Sequence, residues 1–247
     1  MQKNLSSDAP HNGILAALSD LEYEQLQPHL ETVCLPFGKN IYNCGDAICD
    51  VYFPLDAVVY LFTTMEDGAT AEAGIIGSEG ILGISALLGV KTTPVQALAV
   101  NADRALRIKS DVLKREFDNG GNLHDSILRY MHSLYVQVSQ ISACDRIHHI
   151  EGRLCRWLLM MHDRVKSDVL TVTQEFISQM LGTRRPYVTT AAGILQKENI
   201  ILCHRGRIEI LDRKALEQRS CECYGIVQDE FNRSTEMHTS SKSHIIH

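Results

Sequence analysis

The chain has 247 residues, 45% of them hydrophobic and 22% charged, with a net charge of −6. This is the composition of an ordinary globular protein long enough for one large or two medium cores. No uninterrupted apolar run approaches the ~20 residues that a membrane-spanning helix requires, and the segment from Met1 to Pro10 lacks the apolar centre of a signal peptide, so the expectation is a cytoplasmic protein with no membrane partner.

Ser19-Asp-Leu-Glu22 is a capping box that starts a short amphipathic helix through about Leu30. The next eighty or so residues change character. Pro36, Gly38, Gly45, Pro54, Gly68, Gly83, Gly89 and Pro94 punctuate β-favouring runs such as Val51 to Phe53, Ala57 to Thr63, Val95 to Val100 and Ala105 to Ile108. Short strands with turn signals at this spacing predict a sandwich or jelly-roll barrel, and Asp67-Gly68 is its strongest hairpin turn. Ser110 begins a return to helix. From about Asn122, residues Ile127, Met131, Leu134, Val138 and Ile141 recur at alternating steps of four and three. That spacing suits a coiled-coil seam, which would make these five a dimer interface; an amphipathic helix packing inward on its own domain meets the same periodicity. Asp145-Arg146 is the predicted break, followed by a second helix from Ile147 to Arg164.

The segment from Thr173 to Lys197 carries the most specific pattern. Phe176, Ile177, Met180 and Leu181 fall at helical intervals, Thr173 can cap the amides at the start, and Glu175 lies in the first turn, where the helix dipole favours it. Gly182 can take the positive φ that ends a helix. Pro186 falls in the first turn of a second helix, where its missing N–H is harmless, and Val188, Ala191, Ala192 and Leu195 form that helix's inward stripe. Arg184, Arg185, Tyr187, Thr189 and Thr190 stay on or near the exposed side. The run Ile200 to Cys203, a turn at Arg205-Gly206, and Ile208 to Leu211 read as a small hairpin, or wing. Two short helices across a tight turn can hold one helix against a duplex and present the other to its major groove. An ordinary helical hairpin with solvated arginines shares the spacing.

Charge is distributed unevenly. Residues 146–220 carry thirteen Lys/Arg against eight Asp/Glu, whereas residues 1–145 carry nine against eighteen. A basic module on an acidic body is the asymmetry of a DNA reader with a separate control domain. The eight cysteines are expected to be free thiols, and Cys221-Glu-Cys223, their only close pair, is a weak metal signal without partners. No metal or cofactor is therefore expected. His148-His149 is adjacent rather than spaced for one helical face, and His238, His244 and His247 fall in a polar, Ser-rich tail expected to be disordered.

The order of barrel, seam helix and winged helix-turn-helix resembles the CRP/FNR superfamily of bacterial transcription regulators, over about residues 14–215. Gly182-Thr-Arg-Arg-Pro-Tyr-Val188 and Leu202 to Leu211 are similar to that family's DNA-binding domain. Tyr52-Phe-Pro-Leu-Asp56 and Gly77-Ser-Glu-Gly80 are similar to barrel segments of a branch whose effectors are mostly unassigned. The resemblance implies an α+β chain with a cyclic-nucleotide-binding-like sensory barrel (14–109), a dimerisation helix and hinge (110–145), a winged helix-turn-helix (146–220) and a C-terminal extension (221–247). It implies a homodimer on a two-fold symmetric operator of double-stranded DNA, modulated by an unidentified effector, with RNA polymerase as a further candidate partner.

Carried over residue by residue, Arg185 falls where the family commonly reads guanine, a contact that a bidentate arginine makes well. Thr183, Arg184, Tyr187 and Thr189 flank it as candidate phosphate contacts, and Thr173, Thr190, Arg205 and Arg207 complete the implied DNA-binding set. Pro186 and Thr190 replace two base-contacting residues of the family, so the operator should not follow the cyclic-AMP type. The positions that grip ribose and phosphate in cyclic-nucleotide binders align with Gly83-Ile84-Ser85 and Thr93-Pro94-Val95, which lack both the glutamate and the arginine. Without a cation at Thr93 a cyclic phosphate would be poorly compensated, which argues against cyclic AMP. Cys34, Cys44 and Cys49 do not reproduce the compact cysteine cluster of the oxygen-sensing branch.

An enzyme is the rival of another class, but residues 31–110 contain no histidine to hold a cupin-type metal, and no phosphate loop or nucleophile elbow is present. The remaining alternative is a ligand-binding module that acts through protein partners without touching DNA. Retention of Arg184, Arg185, Arg205 and Arg207 argues against it.

Overall fold

The computed structural model describes residues 11–101 and 103–242, with 235–242 described by backbone alone. Asn12 caps α1 (Gly13–Ala16) through its Oδ1, while its Nδ2 donates to the Pro54 and Gly80 carbonyls and ties the helix to the barrel. The Ser19–Glu22 capping box forms as the sequence predicts and starts α2 (Asp20–Leu26).

Seven strands follow: β1 (Glu31–Leu35), β2 (Asn40–Tyr42), β3 (Asp50–Pro54), β4 (Val59–Thr64), β5 (Thr70–Ile76), β6 (Gln96–Ala99) and β7 (Asp103–Lys109). They pair antiparallel in two sheets, ordered β1-β7-β3 and β2-β6-β4-β5. Asp67-Gly68 sits in the β4–β5 turn, where the Gly68 amide donates to the Met65 carbonyl. Between the sheets lie Leu35, Ile48, Val59, Leu61, Ile76 and Leu82. The alternate residues of β4, Tyr60 and Phe62, are also buried, but in a different cluster that includes the C-terminal helices. Both faces of β4 are covered, which is why its sequence reads as a continuous apolar run rather than an alternating one.

Helix α3 (Ser110–Asp118) leads to α4 (Gly121–Ile147), about 40 Å long at 1.5 Å per residue. Glu22 accepts from the Asn122 and Leu123 amides at its start. Midway, Gln137 bonds both backbone groups of Ile75 on β5, with Oε1 accepting at 2.7 Å and Nε2 donating at 3.3 Å. Gly80 lets the Tyr130 ring lie directly on the barrel, because a Cβ there would collide with the ring. Gly80→Ala is therefore expected to lower stability by about 1–3 kcal/mol, read as a fall in the thermal midpoint.

The phase of the seam differs from the five-residue set expected. Ile127 and Ile141 are buried within their own chain, Met131 and Leu134 are half-buried against its core, and only Val138 is exposed. The large apolar residues left outward on α4 are Leu128, Tyr135, Val138 and Ile147. The helix also runs through the expected break at Asp145-Arg146 and ends at Ile147. His148 leaves helical geometry, and α5 (Ile150–Val165) starts later than Ile147.

The C-terminal module comprises β8 (Val169–Leu170), α6 (Gln174–Met180), α7 (Arg185–Lys197), β9 (Ile201–His204), β10 (Arg207–Ile210) and α8 (Arg213–Arg219), with its strands ordered β8-β10-β9. It packs on the outer face of the barrel. Trp157 stacks on Tyr60 with ring centroids 5.6 Å apart, and Phe176 meets the same Tyr60 edge-on at 5.5 Å. Two ion pairs cross the same contact, Arg156–Glu72 at 3.5 Å and Arg164–Glu79 at 2.7 Å.

The described part of the extension beyond residue 221 holds a helix, α9 (Cys223–Lys242), lying along α4, with Phe231 against Tyr130 and Glu230 facing His132. It includes His238, which composition alone assigns to a disordered tail; His244 and His247 lie outside the described residues. Among the described residues no helix is long and apolar enough to cross a membrane.

Candidate nucleic-acid interface

Local sequence dictates the geometry of the two-helix unit. Thr173 Oγ1 accepts from the Phe176 amide at 3.1 Å and starts α6. Gly182 takes φ +55° and turns the chain, and the Thr183 amide donates to the Ser178 carbonyl across the turn. Arg184 is the N-cap of α7 with extended backbone, and Arg185 and Pro186 open its first turn. Val188, Ala191, Ala192 and Leu195 are buried as the spacing predicts. This leaves Arg184, Arg185, Tyr187, Thr189 and Thr190 exposed on the other side.

Two grooves meet at the start of α7. One, of about 500 Å³, runs between α6 and the β9–β10 turn and is lined by Thr173, Gln174, Glu175, Arg185, His204 and Arg205 among others. The other, of about 600 Å³, has Thr183, Arg184 and Arg185 on one wall and Phe62 and the β4–β5 turn on the other. Arg185 borders both. Its Nε lies 4.0 Å from Glu175, a contact too long and too exposed to immobilise the guanidinium. Arg205 and Arg207 are exposed at the wing turn. Arg205 shares a groove with Arg185, whereas Arg207 does not border it.

The threonines differ from the basic residues in availability. Thr189 Oγ1 donates to Gln174 Oε1 at 2.8 Å and also approaches the Arg185 carbonyl, and Thr190 Oγ1 donates to the Pro186 carbonyl at 3.0 Å. Their hydroxyls are thus occupied within the head, and Thr173 is spent on its cap. Sequence reasoning missed Gln174, whose amide bridges to α7, and Glu175 as a carboxylate beside Arg185. Both follow from the angle between α6 and α7, which spacing within one helix does not reveal.

Sequence reasoning also left Cys221 and Cys223 without partners. The fold brings them beside Cys144 and His148, at the junction of α4 and α9 rather than in the two-helix unit, in a set that could hold a metal ion.

In the barrel, the two segments aligned with nucleotide-gripping positions do come together. Gly83, Ile84, Ser85, Thr93, Pro94 and Val95 line one cavity of about 200 Å³, together with Leu134 of α4. Thr93 Oγ1 donates to the Val95 carbonyl and accepts from the Val95 amide. None of the described residues lining the cavity is charged.

Residues 152–219 match the family described as the Crp-like helix-turn-helix domain. No curated protein matches the chain. Among solved structures it is similar to FixK2 from Bradyrhizobium japonicum, at 14% identity over 78% of this chain and 98% of that one, with a TM-score of 0.67. A CRP-family transcriptional regulator from Thermus thermophilus, TTHB099, is similar at 19% identity over 76% and 96%, with a TM-score of 0.66. A candidate crp/fnr-family transcriptional regulator from Eubacterium rectale gives 18% identity over 84% and 97%, also with a TM-score of 0.66. At these identities the likeness is one of fold. Residues 152–219 are a Crp-like helix-turn-helix domain, carried by a chain that has the fold of CRP/FNR-family transcriptional regulators.

Proposed function

We propose that this chain is a sequence-specific DNA-binding transcription regulator that acts as a homodimer on a two-fold symmetric operator in the cytoplasm. The observation that carries this reading is the exposed Arg184–Arg185 start of α7, set beside the Arg205 wing turn within a Crp-like helix-turn-helix domain. Titrating salt into a complex with labelled duplex tests it. A steep fall in affinity supports the regulator, because phosphate neutralisation releases counterions. No binding at low salt sinks it, and leaves the barrel acting through protein partners. Selection from randomised duplexes would then give the operator, whose two halves should be inverted copies. Bound at a promoter, such a dimer would recruit RNA polymerase or exclude it, according to where its site lies.

The dimer seam in this reading is the outward stripe of α4, Leu128, Tyr135 and Val138, with half-buried Met131 at its edge, which keeps steps of three and four but is rotated from the set expected. A second copy of the same stripe is the partner that a heptad repeat favours. Tyr135→Asp with Val138→Asp is expected to give a monomer in sedimentation and to weaken operator binding by about 100-fold or more, since two half-sites then bind independently. Retention of the dimer would show that another surface holds it.

The head is also restrained by its own barrel. Phe62 and the β4–β5 turn (Gly68 to Thr70) line the same groove as Thr183, Arg184 and Arg185, so the barrel stands beside the start of α7 where a duplex would have to lie. We propose that full engagement requires the head to move off Tyr60. Tyr60 Oη and Trp157 Nε1 are buried there without a hydrogen-bond partner among the described residues, so opening to water would satisfy both. The barrel cavity is small, has no charged residue in its lining and includes Leu134 of α4, which suits a small apolar effector acting on α4 better than a cyclic nucleotide.

A further inference from the structure

We infer that Cys144, His148, Cys221 and Cys223 form a tetrahedral site for a single zinc ion, which staples α9 to the junction between α4 and α5. Cys144 and His148 lie one turn apart at the end of α4, and Cys221 and Cys223 stand where α9 begins. Cys144 Sγ is 3.4 Å from Cys221 Sγ, Cys223 Sγ is 3.6 Å from His148 Nδ1, and all four donor atoms lie within 4.8 Å of one another. A tetrahedral zinc with Zn–S of about 2.3 Å and Zn–N of about 2.0 Å has donor–donor edges of roughly 3.5–3.8 Å. The site is therefore already close to the size of one ion. A cluster of several irons with bridging sulfides would need its thiolates farther apart.

The surroundings fit the same chemistry. His148 turns Nδ1 toward the cysteines while Nε2 faces Glu222 at 3.2 Å, the outer carboxylate that fixes the tautomer of a metal-bound imidazole. Cys144 and Cys223 are buried and Cys221 is half-buried, so the ion would be shielded from solvent as structural zinc sites are. On binding, the three thiols release their protons to solvent, and three thiolates with one Zn²⁺ leave a net charge of −1. The buried Arg156 guanidinium, which acts electrostatically on all three cysteines, carries the opposite charge. A Cys144–Cys221 disulfide would use two of the four donors and leave Cys223 and His148 facing each other with no role.

The position gives the ion a mechanical consequence. Cys144 precedes the point where the chain leaves α4 for α5, and a Cβ on Gly152 of α5 would lie 3.4 Å from the Cys221 backbone nitrogen. An ion at the site fixes α9 against both helices, and with them the angle at which the C-terminal module leaves α4.

The test uses the full chain purified under reducing conditions with zinc supplied. Elemental analysis should give about one zinc per chain, and cobalt(II) added to the chelated protein should produce the intense visible bands of a tetrahedral ion with thiolate-to-cobalt charge transfer. Cys223→Ser and His148→Ala should each weaken zinc binding by more than about 100-fold, whereas Cys34→Ser and Cys203→Ser should leave it unchanged. Chelation of the unsubstituted chain should expose α9 to limited proteolysis. A folded, unsubstituted chain with neither zinc nor the cobalt bands overturns the site, as does a stoichiometric Cys144–Cys221 disulfide or a multi-iron chromophore on these cysteines. The cobalt measurement needs no substitution, so a variant that fails to fold does not blunt it. Metal content is read without DNA, so its failure is distinct from failure of the regulator reading.

Discussion

Arg185→Ala is expected to weaken binding to the cognate operator by about 5- to 150-fold for each half-site, equivalent to about 1–3 kcal/mol, and to flatten selectivity at one base pair in each half. Across a two-fold operator the losses combine to about 2–6 kcal/mol, enough to bring specific binding close to the non-specific level. Position decides the role. Arg185 is the first residue of α7, its side chain is 64% exposed, and Glu175 at 4.0 Å does not hold its planar fork. It can therefore present two parallel donors to the acceptor edge of a guanine. Arg184, the N-cap, lies outside the helix, and in the proposed reading it meets phosphate rather than a base edge. Arg184→Ala should weaken all duplexes alike and lower the salt dependence by about one counterion per half-site. Lysine should restore much of the Arg184 contact and little of the Arg185 one, because an ammonium carries charge without the fork. Unchanged preferences at every operator position in the Arg185→Ala protein would remove the base-reading role from that residue.

The helix-turn-helix unit was the most legible part of the sequence because its determinants are local. Thr173 caps, Gly182 turns and Pro186 starts a helix through interactions that span a few residues, and each has the predicted geometry. The phase of α4 was not legible. Its apolar residues form adjacent stripes, and which of them faces inward depends on the barrel and on α9, neither of which periodicity within α4 encodes. That is why Ile127 and Ile141 proved to be interior while Leu128 and Tyr135 face out. The contact of Trp157 with Tyr60 joins residues nearly a hundred positions apart, and its one sequence trace was the lack of alternation in β4. The metal set was visible only in halves. Cys221 and Cys223 stood out as a pair, but Cys144 and His148 stand four residues apart across the end of α4, a spacing masked by reading His148 with its neighbour His149.

Arg156→Met is expected to destabilise the chain by about 3–5 kcal/mol near neutral pH, because it strands a buried carboxylate. Side-chain exposure is 0% for Arg156 and 2% for Glu72, and Nη2 and Oε2 stand 3.5 Å apart without a hydrogen bond from either atom among the described residues. The pair is held by charge in a dry contact between β5 and α5, not by good geometry. Burial pushes the Glu72 carboxyl up from its ordinary value near 4.5; Arg156 is the largest influence opposing that rise, and Asp145 adds to it. A carboxyl raised on folding contributes fully below its unfolded value, and the contribution is lost as pH climbs through the folded one. Removing Arg156 raises Glu72 further, so its neutral form persists to higher pH and the penalty grows over a wider range. The deficit of Arg156→Met relative to the unsubstituted chain should thus be smaller at about pH 5 than at about pH 8, measured by denaturant unfolding with zinc present throughout. Adding Glu72→Gln to Arg156→Met removes the titrating group and should recover most of the loss at pH 8 while leaving little pH dependence. A deficit that is equal at the two pH values, or that Glu72→Gln fails to relieve, would place the importance of Arg156 elsewhere, beside Asp145 or the three cysteines, rather than in joining the head to the barrel.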